Sequence, residues 1–268
     1  MLGTRYEEYV NFIDNIPFVI SFDITRSKSI RSNAVNWHDN VEIQLCTSGS
    51  GFVLLDGKKI NIKVGDVVVA NSNTFHYTGT DDTITYDCMI IDTEFCKQAG
   101  IDASKILFEE HFCDYEIKEI FNEIKSIKHC GDHLASAKLR MLTLKLLIAL
   151  CERHTISFNV IESKKSTHKT IKDTIIYIHK NYNRKLSLDE IAKSVYANKF
   201  TLTRAFKEMT GQTLFEYINV FRCRQAQQLI ISGLSISESA SLCGFSNMSF
   251  FTKTFKRYIG LLPSEYKK

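Results

Sequence analysis

The sequence predicts an α+β chain of two domains: an N-terminal β-barrel with flanking helices, then an all-α C-terminal domain holding two helix-turn-helix units. Three observations predict it. Residues 17–92 carry short alternating runs punctuated by Gly and Asp-Gly, the pattern of a barrel or sandwich. Beyond about residue 94 the apolar period changes from two to three and four, as in amphipathic helices. From residue 170 a helix, turn, helix unit bounded by glycine occurs twice, 49 positions apart.

In the barrel region Pro17 to Phe22 opens an extended run and Val41 to Cys46 alternates. Gly51 to Leu55 leads through an Asp56-Gly57 turn into its hairpin partner, Ile60 to Ile62. Val67 to Val69 follows Gly65-Asp66, and Tyr86 to Ile91 makes a further strand. Alternation lets one side of Val41 to Cys46 face the interior. With Glu42 and Gln44 inside, Trp37, His38, His76 and Tyr86 are their neighbours, and the mixture of flat walls and hydrogen-bonding groups suits a sugar or similar polar effector. With Val41, Ile43 and Leu45 inside, the barrel is solid and the polar set faces water.

Helices occupy about 94–154. Tyr115 to Lys128 aligns Ile117, Ile120, Phe121, Ile124 and Ile127 on one side. His133 to Arg153 aligns Leu134, Leu139, Leu142, Leu146 and Leu150, with Leu147 and Ile148 widening the stripe. A stripe that wide packs on the barrel or is shared with a second subunit. The polar run ESKKSTHK, residues 162–169, reads as a linker that ends the first domain, 1–161. The second domain, 170–268, begins with a helix from Thr170 to Asn183 that turns Ile171, Ile175, Ile178 and Tyr182 inward.

The second helix-turn-helix copy runs from Ile236 to Lys268. Ile236, Ala240 and Leu242 give a short apolar face, Gly244 the turn, Asn247 a cap, and Phe251 and Phe255 one buried side. Gly260 and Pro263 end it. Sliding back 49 positions sets Leu202, Arg204, Phe206 and Gly211 under Phe251, Lys253, Phe255 and Gly260. The front halves align at 48, Leu188 on Ile236 and Ala192 on Ala240. Lys199, Phe200, Thr203, Arg204 and Lys207 then point outward in the first copy, and Met248, Ser249, Thr252, Lys253 and Lys256 in the second. Arg204 can fork onto a guanine edge, Phe200 can meet a thymine methyl, and Lys199 and Lys207 suit phosphate.

Charge divides the same way. Residues 170–268 hold 15 Lys plus Arg against 7 Asp plus Glu, whereas residues 1–169 hold 19 against 23, so the C-terminal domain is the part built for a polyanion such as double-stranded DNA. Eight cysteines without a Cys-x-x-Cys pair argue against a zinc ribbon and against a disulfide scaffold. No apolar run approaches the roughly 18 residues of a membrane helix and MLGTRYEEYV lacks a signal-peptide core, so a cytoplasmic protein without membrane contact is expected.

Ile236, Ala240, Gly244-Phe245, Ser249-Phe250-Phe251, Lys253, Phe255-Lys256, Gly260, Pro263-Ser264 and Tyr266 together resemble the C-terminal signature of the AraC/XylS family of bacterial transcription regulators, over about the last hundred residues. The resemblance implies two recognition helices in the major groove, control by a small effector, a homodimer formed through the helices at 94–154, RNA polymerase as a further partner, and neither enzymatic activity nor a cofactor. Lys253 stands where Arg is common; as a point charge it cannot fork onto a guanine. His38, Glu42 and Gly49 fall at the spacing of a first cupin motif, and Gly65, Asn71, Asn73 and His76 at that of the second, so the barrel resembles a cupin, which in that family commonly serves as the effector-sensing domain. Metal-binding cupins begin the first motif His-x-His; here Asn36 replaces the first His, and Asn71 and Asn73 stand where Pro and Gly are usual. No metal is therefore expected, although His38, Glu42 and His76 form a two-His-one-carboxylate set. The alternatives are a metal-dependent cupin enzyme with an accessory helical domain, and a DNA-binding regulator without a small-molecule ligand.

Overall fold

One long strand organises the N-terminal half of the computed structural model, which describes residues 18–27, 35–128, 133–158 and 165–266. Pro17, Cys130 and residues 162–164 of the expected linker lie outside the described residues. Strand β2 (Val41–Leu55) belongs to two sheets. Its first half pairs antiparallel with β4 (Val67–Ala70) and β6 (Thr83–Ile91), its second with β3 (Lys58–Lys63) and β5 (His76–Gly79). β1 (Phe18–Ser27) pairs with β6, and β8 (His111–Phe112) with β4. Sequence reading divided β2 into Val41 to Cys46 and Gly51 to Leu55; the chain instead passes through without interruption, with a register shift after Cys46. Gly49 permits the passage: its φ is +72°, and an added Cβ would come within 2.1 Å of the Thr83 carbonyl oxygen. Among the described residues the strands do not close into a ring, so the expected barrel is an open jelly roll of two sheets.

Both faces of the first half of β2 are covered. Val41, Ile43 and Leu45 join Val67, Val69, Met89 and Ile91 in a core shared with α2 (Tyr115–Lys128) and α3 (Ala135–Arg153). Glu42, Gln44 and Cys46 turn the other way, and Cys46 packs with Val53, Leu55, Ile60, Ile62 and Tyr86 between the sheets. Neither set faces water: Glu42 and Gln44 are both 5% exposed. The reading in which the polar set is solvated therefore fails, because a helix layer outside the first sheet takes the apolar set. At the hairpin, Asp56 and Gly57 both have positive φ, as the two-residue turn joining β2 to β3 requires.

Several short elements escaped prediction: β5, α1 (Thr93–Gln98), and the two-stranded sheet of β7 (Ile106–Phe108) with β9 (Thr155–Phe158). Asn71 ties β7 down, its amide donating to the Phe108 carbonyl at 3.0 Å and accepting the Phe108 N–H at 2.8 Å.

The C-terminal unit is helical. α4 (Lys165–Asn181) starts five residues before the Thr170 that sequence reading proposed, so the last part of the expected linker is helix. α5 (Leu188–Ser194) and α6 (Lys199–Thr210) form the first helix-turn-helix, α8 (Ile236–Leu242) and α9 (Met248–Ile259) the second, and α7 (Leu214–Ile231) joins them. Capping boxes open α7 and α8, at Thr213 with Glu216 and Ser235 with Glu238. α7 supplies Val220, Cys223, Ala226 and Ile230 to a core with Ala240, Phe245, Phe251 and Phe255. Leu242, assigned from the sequence to the apolar face of α8, is 55% exposed; Cys243 and Phe245 fill that space instead. Among the described residues no helix is long and apolar enough to cross a membrane.

Candidate functional site

Two surfaces carry the chemistry, the outer faces of α6 and α9 and a buried polar cluster between the sheets. Both recognition helices open on an Asn side chain. Asn198 Oδ1 accepts the N–H of Phe200 at 2.9 Å and of Thr201 at 3.3 Å, and Asn247 Oδ1 accepts that of Phe250 at 2.8 Å. Both helices close on a left-handed glycine, Gly211 and Gly260. Leu202, Phe206 and Met209 bury one side of α6, and Phe251, Phe255 and Tyr258 one side of α9.

What remains faces outward. On α6 Phe200 is 72% exposed, the Arg204 side chain 79%, and Lys207 is exposed. Lys199 and Thr203 are half-buried. Lys199 Nζ lies 2.7 Å from Asp189 and Arg204 Nε 3.5 Å from Glu208, solvated pairs that contribute little stability and exchange readily for phosphate. The Thr203 hydroxyl reaches back to the carbonyls of Lys199 at 3.0 Å and Phe200 at 3.1 Å, which leaves its methyl group and a lone pair outward. On α9 Met248, Ser249, Lys253 and Lys256 are exposed and Thr252 is half-buried; the first three and Thr252 line one shallow recess.

Two exposed aromatics on this side were missed. Phe250 is 52% exposed beside Ser249. Tyr196, in the turn before α6, is 99% exposed and sits at φ +53°. The internal repeat held the signal for it: at the 48-residue offset Tyr196 falls under Gly244, whose φ is +78°, so a bulky residue occupies a backbone conformation that the other copy gives to glycine.

Between the sheets, His38, Glu42, Gln44 and His76 converge. His38 Nε2 and His76 Nε2 each lie 3.2 Å from Glu42 Oε2. Gln44 Nε2 donates to Glu42 Oε1 at 2.6 Å, and Thr78 Oγ1 donates to Gln44 Oε1 at 2.6 Å. Burial pushes the Glu42 carboxyl up, but the His76 charge and the hydrogen bonds from both imidazoles outweigh it and hold the group well below the usual carboxylate range. The other two residues assigned to this chamber are held by partners of their own. Trp37 packs edge-on to Phe75, with ring centroids 6.3 Å apart. Tyr86 sits among the apolar residues, and its hydroxyl accepts Arg26 Nε at 3.3 Å. Asn73, where a cupin motif usually has glycine, adopts φ +65° and so does the work of that glycine.

Known proteins share both halves. A family model described as an AraC-like ligand binding domain matches residues 29–142, and one described as a helix-turn-helix domain matches residues 191–268. The chain is 25% identical to the Msm operon regulatory protein of Streptococcus mutans, over 86% of this chain and 84% of that protein. It is 35% identical to the HTH-type transcriptional activator AarP of Providencia stuartii, over 36% of this chain and 73% of that one. It is 23% identical to the HTH-type transcriptional activator RhaR of Salmonella schwarzengrund, over 87% and 86% of the two chains. Among solved structures, an apo variant of ToxT from Vibrio cholerae superposes with a TM-score of 0.51 at 18% identity, covering 94% of this chain and 97% of that one, a likeness of fold.

Proposed function

The chain belongs to the AraC/XylS family of helix-turn-helix transcription regulators, and on that premise we propose how its parts divide the work. The protein is a DNA-binding regulator with a ligand-binding N-terminal domain. Its helices α6 and α9 enter successive major-groove segments about 34 Å apart on one face of the duplex. Arg204 reads a guanine and Phe200 a thymine methyl; Met248, Ser249, Thr252 and Lys253 take the corresponding turns of α9. Lys199, Lys207 and Lys256 neutralise phosphate.

The observation that carries this reading is the doubled recognition helix, each copy Asn-capped, glycine-terminated and cationic on its free face. Selection of duplexes from a random pool by the full chain, followed by hydroxyl-radical footprinting, tests it. Two protected segments one helical turn apart are expected; a single protected segment would refute the tandem arrangement.

For control, the chamber of His38, Glu42, Gln44 and His76 takes a small polar effector, sugar-like in its hydroxyl groups, with Trp37 and Tyr86 at its margins. A relative named as the xylose operon regulatory protein of Escherichia coli, 27% identical over 40% of this chain and 29% of that one, supports a sugar-like effector by its name alone. A second copy of the chain covers the outer stripe of α3 and its N-cap, where Leu134, Met141 and Ile148 recur every seven residues at 49%, 59% and 49% exposure. Residues 1–161 form the sensing and dimerising part, 162–169 the connection, and 170–268 the DNA-binding part. The regulator acts in the cytoplasm, where its DNA is, contacts RNA polymerase there, and catalyses no reaction of its own.

A further inference from the structure

The two recognition helices differ most at their N-terminal ends, the ends that helix-turn-helix units turn towards base edges. In the 49-residue repeat Met248 stands where α6 has Lys199, Ser249 where it has Phe200, and Lys253 where it has Arg204. The first turn of α9 is therefore uncharged, with Met248 42% and Phe250 52% exposed. Met248, Ser249, Thr252 and Lys253 line one shallow recess, Met248 and Thr252 adjoining in it because they are four residues apart on one helix face. Positive charge lies further along: Lys253, Lys256 and Arg257 are exposed, and α9 contains no Asp or Glu. On α6, by contrast, Glu208 occupies the place of Arg257 and pairs with Arg204 at 3.5 Å.

The chemistry of the major groove decides what such a surface can read. Every base edge there offers hydrogen-bond donors or acceptors, and of the four bases only thymine adds a methyl group. A guanine, cytosine or adenine edge pressed against the Met248 thioether loses water and gains no strong partner, a penalty that a thymine methyl escapes. Nothing in the first two turns of α9 forks onto guanine, since Lys253 ends in a point charge. The adenine paired with a thymine presents N7 as acceptor and N6–H as donor, and the exposed Ser249 hydroxyl can meet either.

We propose that α9 reads thymine methyl groups through the recess of Met248 and Thr252, so that the two halves of the operator are chemically unequal. The segment under α6 contains the guanine that Arg204 reads, and the segment under α9 is rich in thymine and indifferent to guanine. Met248 is the specificity-determining residue of the second helix. The proposal rests on the tandem reading given above and adds the base class of its second half.

Single-base exchange in a duplex selected by the full chain tests it. Deoxyuridine keeps every hydrogen-bonding group of thymidine and lacks only the methyl, so it is placed at each thymidine in turn and affinity is measured for the native chain and for Met248→Ala. In one of the two protected segments native binding is expected to fall about fourfold for each contacted methyl, while the variant is indifferent to at least one of those exchanges. A thymine met by Phe200 in the other segment stays sensitive in the variant. The salt slope is the same for both proteins, because no phosphate contact is removed. Met248 is an exposed first-turn residue and Ala is a strong helix former, so the variant keeps the fold, and the response of the native chain to deoxyuridine is a second, independent measure. Selected segments without thymine, native binding that ignores deoxyuridine, or a variant that feels every exchange as the native chain does would overturn the proposal. A footprint of one segment defeats the tandem reading itself and the proposal with it; two segments without the methyl effect defeat the proposal alone.

Discussion

At the scale of single residues the two recognition faces differ in kind. Arg204 offers a planar fork and its counterpart Lys253 a point charge, so the first helix is expected to carry more of the base discrimination. Arg204→Ala is expected to cost about 1–3 kcal/mol at one base position, seen as a binding difference between a selected duplex and its single-base variants. Equal weakening on selected and random DNA would remove the base-reading role. Lys207→Ala should weaken all sequences alike and lower the slope of log affinity against log salt by about one, the signature of one lost phosphate contact. Tyr196 holds a left-handed conformation that costs a bulky side chain about 1–2 kcal/mol, in part repaid because glycine there frees the unfolded chain. Tyr196→Gly should therefore leave thermal unfolding within a few degrees while reducing affinity for any duplex; unaltered affinity would show that the ring does not touch DNA.

At the scale of elements, Gly244 is where the two helix-turn-helix units meet. A Cβ there would lie 2.6 Å from the Tyr182 carbonyl oxygen, in the segment after α4, and 3.0 Å from the Arg222 guanidinium. Arg222, on α7, donates at 2.7 Å to the carbonyls of both Tyr182 and Arg184 and so fastens the first unit to the turn of the second. Gly244→Ala combines a strained φ with a backbone clash and is expected to destabilise the chain by about 2–3 kcal/mol in denaturant titration. α2 and α3 have their own clasp in Asp114. Its carboxylate accepts the Ile117 N–H at 3.1 Å, Arg153 Nε at 2.9 Å and a hydrogen bond with His154 Nε2 at 2.9 Å. Burial raises this carboxyl, but these partners more than reverse it, holding it at about 2 against an ordinary 3.8. Stability from a depressed carboxyl is full above pH 4 and is lost as pH falls towards 2, so Asp114→Asn should lower Tm at pH 7 and cease to matter near pH 2.

The long periodic helices were legible in the sequence because their stripes run for several turns: α2 came out as Tyr115–Lys128, and α6 and α9 announced their caps and terminal glycines. Short elements were not. β7, β8 and β9 each span two to four residues and depend on partners far along the chain, such as Asn71 against Phe108, so no local period marks them. The side of β2 that faces inward was also undecidable by alternation alone, since a strand covered by a second sheet and by helices hides both its apolar and its polar sets. His38, Glu42 and His76 were legible as a spacing; that both rings turn Nε2 to Glu42 Oε2, with Nδ1 of His38 3.0 Å from the Asn40 carbonyl and Nδ1 of His76 2.9 Å from the Thr74 carbonyl, depends on backbone groups that no side-chain pattern encodes.

For the molecule as a whole, the seven-residue recurrence of Leu134, Met141 and Ile148 predicts self-association. Ile148→Glu should shift sedimentation of the full chain from dimer to monomer and weaken binding to paired half-sites more than to one; a native chain that sediments as a monomer at micromolar concentration would exclude that interface. The passage of β2 through both sheets has a further consequence. No cut along the sheet boundary separates the N-terminal half into independently melting parts, because the backbone of one strand supplies ladder partners on both sides of it. Deuterium uptake at the amides of Ile43 and Val53, in opposite halves of that strand, should therefore proceed through one shared opening event with a common free energy and denaturant dependence.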